Sequence, residues 1–283
     1  MMVETLRSLV TDMRSIAPFP HVASTVLSLA AKPGVVPEQL IEVIQTDPGL
    51  TGKVLKLCNS AYYGFQREIA SLEEAGNMVG VRTLTNLVLT SCSGRYFEEQ
   101  GAGDTEHAWQ SSVATAVAGR MVAQVVGRVD AERAYTSGLL LNVGGLILAR
   151  LEGDEQVRIE AEVAAGRSRV HAERVVLGMS HAEVGARLVT RWMLPEVLID
   201  TLRHHHAPER ATLDPTLAAT VHLGEALAES LEAEDGDEAE AFGARYGVSD
   251  AAWSMTDLLP HVLLELRPRL QAELQDARSA LAA

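Results

Sequence analysis

The sequence predicts an all-α protein in two helical subdomains. Apolar residues recur at spacings of three and four along its 283 residues, and no stretch alternates apolar with polar as a half-buried strand would. Aromatic residues make up only 4% against 47% hydrophobic residues overall, so the core must be built from Leu, Val, Ala and Ile. Gly and Pro fall mostly at the ends of the periodic segments, where they punctuate helices.

Taken in order, the N-terminal MMVETLRSLV lacks the basic region, long apolar stretch and cleavage site of a secretion signal. Val22, Val26 and Leu29 form one helical face after Pro20, and Pro37 opens a short helix through Leu40, Ile41 and Ile44. Asp47 caps a third helix whose first residue is Pro48, with Leu50, Val54, Leu55 and Leu57 as its apolar face. That run stops at Asn59 and Ser60, and Tyr62, Tyr63, Gly64 and Phe65 make an aromatic turn. Ser71 and Glu74 stand at capping-box spacing and open a helix that ends at Gly80. Val81 to Phe97 is nearly continuously apolar and predicts a central helix, and Gln100 to Asp104 is the seam between two helical subdomains.

A long helix follows from Thr105 to about Val126, and Asp130 caps the next. That helix carries Leu139, Leu140, Leu141, Val143, Leu146, Ile147 and Leu148 on nearly all sides, the mark of a buried helix. Gly138, Gly144 and Gly145 within it cost roughly 1 kcal/mol each against Ala, which predicts close approach of neighbouring helices. Ser180 and Glu183 form a second capping box, Pro195 starts a helix running into His204, His205 and His206, and Leu213 to Leu231 is helical. The acidic EAEDGDEAE is a solvated loop, and Leu259, Val262, Leu263, Leu266, Leu270 and Leu274 mark an amphipathic C-terminal helix interrupted at Pro268.

Residues 47–80 closely resemble the signature of the HDOD family, bacterial signalling domains related to the HD metal phosphohydrolases. The match lies at Asp47, Pro48, Leu50, Thr51, Leu55, Asn59, Ser60, Ala61, Gly64, Ile69, Ser71 and Gly80. It continues through a Trp109-centred helix, the segment SGLLLNVGGLIL and the cluster HHHAPE. The likeness covers residues 14–228, divided into an N-terminal subdomain at 14–98 and a degenerate HD-like subdomain at 105–228, and it leaves the tail at 229–283 outside.

HD phosphohydrolases, which the second half resembles, bind one or two metals through an early His, an adjacent His-Asp pair and a late Asp, and HD-GYP relatives add further histidines. The metals activate water against a phosphate ester. Here the early position falls on Ser111 in WQSS, and the pair falls on Leu141 and Asn142 in GLLLNVGG, where an HD enzyme reads GLLHDIGK. The lysine that often follows falls on Gly145. Leucine cannot ligate a metal, and Ser and Asn are weak neutral donors. By the same resemblance His181, His205 and His206 match secondary HD-GYP histidines and Glu225 falls where a ligand Asp would sit. They read as a vestige held by hydrogen bonds, with a single weakly bound divalent metal as the alternative. His204, with no matching position, is expected at the surface, and His107 and His222 are expected in structural or solvent roles. Trp109 and Trp192 are core anchors. Asn142 is a buried amide that needs partners.

A net charge of −14 argues against a nucleic-acid backbone or an anionic membrane as partner. Cys58 and Cys92 are too few for a disulfide framework and read as buried thiols of a cytoplasmic protein. No P-loop, dinucleotide fingerprint or nucleophile elbow is present. The expectation is therefore a non-catalytic regulatory module, without a resident cofactor, acting through contacts with other signalling proteins. A degenerate phosphohydrolase and a nucleotide-binding sensor are the alternatives, and homodimerisation through the C-terminal helix stays open beside its packing on its own domain.

Overall fold

The computed structural model describes residues 19–65, 67–100, 105–150, 154–232 and 239–282, and every regular element among them is helical. The expected seam at Gln100–Asp104, most of the acidic run EAEDGDEAE, the boundary at residue 14 and the N-terminal MMVETLRSLV fall wholly or largely outside the described residues. In the first half α1 (His21–Ala30), α2 (Pro37–Ile44) and α3 (Pro48–Cys58) pack on α4 (Leu72–Gln100). The second half runs through α5 (Thr105–Val126), α6 (Ala131–Leu141), α7 (Val143–Leu148), α8 (Asp154–Ala164), α9 (Arg169–Leu177), α10 (His181–Arg191), α11 (Glu196–His204) and α12 (Pro215–Glu229). The tail adds α13 (Ala239–Arg245), α14 (Asp250–Thr256), α15 (Pro260–Glu265) and α16 (Arg267–Ala282). At the centre α5 packs along both α6 and α12. Residues Leu217 to Ala228 of α12 are all buried, so this helix faces protein on every side.

The signature residues prove to be local architecture. The Leu50 N–H donates to Asp47 Oδ1 at 3.0 Å, which caps α3. Asn59 donates from Nδ2 to the Leu55 carbonyl (3.0 Å) and the Ile69 carbonyl (2.9 Å), and its Oδ1 accepts from the Ile69 N–H (2.7 Å). One amide thus ends α3 and fixes the strand-like approach to α4. Ser60 Oγ donates to the Leu57 carbonyl. Gly64 and Gly80 have φ of 61° and 75°, where a side chain would be strained, and at Gly80 the backbone of α4 leaves helical geometry. Replacing Asn59 by Ala is expected to cost roughly 2 kcal/mol in urea denaturation, because the Ile69 N–H and carbonyl lose their partner, while the Leu55 carbonyl keeps the backbone N–H of residue 59. A loss below about 0.5 kcal/mol would contradict that role.

Polar and aromatic contacts join the halves. Asn86 of α4 donates to the Glu132 carbonyl and carboxylate, Thr136 Oγ1 donates to Asn86 Oδ1, and Thr90 shares a 2.9 Å hydrogen bond with Tyr135. The Arg120 guanidinium lies over both Tyr62 (4.8 Å) and Tyr135 (5.1 Å). Trp192 is buried and stacks on Phe19 at 4.7 Å.

Three local expectations are corrected. The apolar helix after Asp130 is two helices, broken at Asn142, where φ −92° and ψ 8° leave helical geometry. Close approach holds at Gly138 and Gly144, whereas a Cβ at Gly145 would meet nothing within 4 Å. In the tail the break lies at Leu266, and Pro268 sits in the first turn of α16, where its missing N–H costs nothing. The apolar stripe of α16 packs on the chain's own α5 and α3, burying Leu270, Leu274 and Ala277, while Leu259 at the head of the stripe is exposed.

Candidate functional site

Ser180 builds the first corner of the site. Its hydroxyl accepts from the Glu183 N–H while its own N–H donates to Glu183, so His181 becomes the first residue of α10. Two bonds from His181 then engage the buried Glu173 carboxylate of α9, from the backbone N–H (2.8 Å) and from Nδ1 (2.7 Å). Next to it, α7 presses on α10 so closely that a Cβ on Gly144 would lie 2.0 Å from the His181 carbonyl oxygen. At the C-terminal end of α11, His205 Nδ1 stands 2.7 Å from the Leu202 carbonyl and its ring is fully buried. From α12, one turn apart on one face, come His222 and Glu225.

These elements converge. The Nε2 atoms of His181 and His206 are 3.0 Å apart, and Glu225 Oε2 lies 3.8 Å from His205 Nε2, 4.0 Å from His206 Nε2 and 3.7 Å from His222 Nδ1. One nitrogen or oxygen each from His181, His205, His206 and Glu225 fall within 4.8 Å of one another, the spacing of a metal-ligand set. His205 Nε2 and both ring nitrogens of His222 are buried without a hydrogen-bond partner. An orphaned imidazole nitrogen aimed at a carboxylate fits a cation better than it fits a closed hydrogen-bonded vestige. Among the described residues, therefore, this set fits a single divalent ion.

The electrostatics of the cluster differ from one imidazole to the next. Burial pushes His205 down to about 4, against the pull of Glu225, and burial with the neighbouring His205 holds His206 well below the usual imidazole range. Burial also opposes protonation of His181, but the Glu173 carboxylate on Nδ1 outweighs it and raises the pKa. For Glu225 burial works against ionisation, and the surrounding imidazoles hold the carboxyl below its usual range. Glu229 is pushed up to about 7 by burial and by Glu225 and Glu232.

His181, His206 and Glu225 of the cluster line a cleft of about 1480 Å³, which His205 does not reach. Ser111, Asn142, His181, His206 and Glu225 all line it, so residues far apart in sequence meet at one cleft. Leu141 does not reach it and is fully buried in the core. Asn142 is half-buried at the break between α6 and α7, facing the cleft rather than closed in an apolar helix. Arg167, Arg169 and Arg174 stand along the rim, each also paired with a glutamate.

The other histidines follow expectation only in part. His204 is not at the surface; it is partly buried and bonded to Asp200 at 2.9 Å, turned away from its two neighbours. His107 is exposed at the cleft beside Glu232. His222, expected in a structural or solvent role, is buried against Glu225, and its i,i+3 spacing from that glutamate was the available signal. Glu173 was missed, and no local pattern marks it, because its bond to His181 joins separate helices.

The HDOD domain family model matches residues 16–208. An uncharacterised protein of Treponema pallidum (strain Nichols) is 29% identical over 183 residues, which is 62% of this chain and 36% of that protein's length. A crystal structure of an HDOD domain protein of unknown function from Geobacter sulfurreducens matches with a TM-score of 0.78 at 23% identity, covering 98% of this chain and 99% of the other. A candidate phosphohydrolase from Shewanella amazonensis SB2B gives 0.75 at 21% identity, covering 96% and 97%. A candidate signal-transduction protein from Marinobacter aquaeolei VT8 gives 0.69 at 20% identity, covering 98% of this chain and 66% of that one. At these identities the structural likenesses are likenesses of fold.

Proposed function

The chain belongs to the HDOD family, and from that premise we propose that it is a regulatory module without hydrolytic chemistry, transmitting signals through contacts with other proteins. The observation that carries this reading is the wall of the cleft at Ser111 and Asn142, which Leu141 does not reach. Hydrolysis of a phosphate ester by an HD-type centre draws on a His-Asp pair at that wall to hold its ions and on the ions to activate water. Ser111 and Asn142 bring neutral side chains to the cleft, and Leu141 is withdrawn into the core. Glu225 is the one carboxylate in the ligand cluster. The name of the Marinobacter neighbour agrees with a signalling role, although that likeness extends to fold alone.

Full-length protein incubated with cyclic dinucleotides, nucleotides and bis-p-nitrophenyl phosphate, with manganese, iron or zinc added, is expected to give no turnover above the metal-only control. Turnover that Glu225→Gln abolishes would overturn the reading.

A second reading is favoured by the size and charge of the cleft. Its volume of about 1480 Å³ exceeds the ordinary range for small-molecule sites. The Arg167, Arg169 and Arg174 rim stands out in a chain of net charge −14 and suits an anionic ligand bound without turnover. Thermal stabilisation by a nucleotide would support it by mass action.

A further inference from the structure

We propose that His181 Nε2, His205 Nε2, His206 Nε2 and Glu225 Oε2 hold one divalent transition-metal ion, which ties α10, α11 and α12 together at the foot of the cleft. For what the ion does, this inference rests on the regulatory reading; for its binding, it stands on the geometry of the donors.

The first support is tautomeric. His181 Nδ1 faces a carboxylate and His205 Nδ1 faces a backbone carbonyl, both at 2.7 Å. Those oxygens only accept, so each Nδ1 carries the proton and, in the neutral ring, each Nε2 presents its lone pair to the cluster. Metal-bound histidines are held in this way, with the distal N–H given to a carboxylate or a carbonyl. Glu173 and Leu202 thus occupy the places of outer-sphere partners.

The second support is the cost of the cluster without a cation. His205 is fully buried and its Nε2 has no partner. A buried acceptor left unpaired is destabilising unless something occupies its lone pair. Glu225 is also buried, and the ion-pair partners the structure gives it are three imidazoles at 3.7 to 4.0 Å, beyond hydrogen-bond distance.

The third support is reach and donor type. Bonds of about 2.0–2.2 Å to a tetrahedral ion would put its ligand atoms roughly 3.4 Å apart. The separations of 3.0, 3.8 and 4.0 Å lie near that value and all four donors stand within 4.8 Å of one another, so side-chain shifts on the order of 1 Å would close the site. Three imidazoles with one carboxylate suit zinc, iron, cobalt or nickel rather than magnesium or calcium. His222 Nδ1 lies 3.7 Å from Glu225 Oε2 and stays outside the set.

The test uses full-length protein without a histidine tag, stripped by chelator and titrated calorimetrically with zinc alone. Cobalt serves as a spectroscopic probe through its visible ligand-field bands. The expected result is one zinc per chain, a rise in melting temperature on binding, and cobalt bands. Glu225→Gln, which keeps the size of the side chain, and His181→Ala should each weaken zinc by about 100-fold or more. His204→Ala should leave affinity within about twofold, since His204 faces Asp200. The proposal is overturned by no zinc binding in the wild type, by Glu225→Gln binding as tightly as wild type, by loss of binding in His204→Ala, or by two ions per chain. Should His181→Ala fail to fold by circular dichroism, the isosteric Glu225→Gln decides. Zinc bound together with turnover would remove the regulatory reading and leave the metal site standing; neither zinc nor turnover would do the reverse.

Discussion

Replacing Gly144 by Ala is expected to destabilise the protein by about 3 kcal/mol or more, while the same change at Gly145 stabilises it by up to about 1 kcal/mol. A Cβ at Gly144 would stand 2.0 Å from the His181 carbonyl oxygen, 2.6 Å from the Gly185 nitrogen and 2.9 Å from the His181 carbonyl carbon. All three are backbone atoms, so no rotamer change relieves the clash, and α7 must move away from α10. At Gly145 a Cβ meets nothing within 4 Å, and the change recovers the helix propensity that glycine forfeits. Urea denaturation of the two variants beside wild type checks both signs. A loss below about 1 kcal/mol at Gly144 would mean that the two helices are further apart than the structure has them. Because His181 opens α10, the Gly144 variant should also bind zinc more weakly.

Trp192→Ala is expected to cost roughly 3–5 kcal/mol, the range for emptying a large aromatic site. Trp192 is 5% exposed, stacked on Phe19 at 4.7 Å and 21° and edge-on to Tyr96 at 5.3 Å and 87°. Phe19 and Tyr96 belong to the first half of the chain and Trp192 to the second, so the truncation removes both core volume and an aromatic junction between the halves. The expected readout is a lower denaturation midpoint at nearly unchanged slope. A loss under about 1 kcal/mol would show that neighbouring side chains refill the space and that the junction lies elsewhere.

Much of this fold is legible in the sequence because helices advertise themselves locally. The caps at Asp47, Ser71, Asp130 and Ser180 are each a residue type at fixed spacing before an apolar run, and each caps its helix in the structure. The break at Asn142 is not legible, since the apolar pattern runs on through it and only tertiary packing separates α6 from α7. Within the site, His181, His205, His206 and Glu225 carry chemistry in their residue types and motif positions. Glu173 carries none until α9 folds against α10. The two adjacent glycines show the same limit, because composition treats them alike while one meets a backbone and the other open space.

The packing of α16 has a consequence for biosynthesis. Ala277 of that helix lines a small pocket with Leu57, Tyr62 and Tyr63 from the first half. At ribosomal rates of about 5–20 residues per second, α16 leaves the ribosome on the order of ten seconds or more after those aromatics. Throughout that interval the cover of the aromatic turn is incomplete: Val113, Arg120 and Tyr135 of the second half reach it first, and the C-terminal helix closes it last.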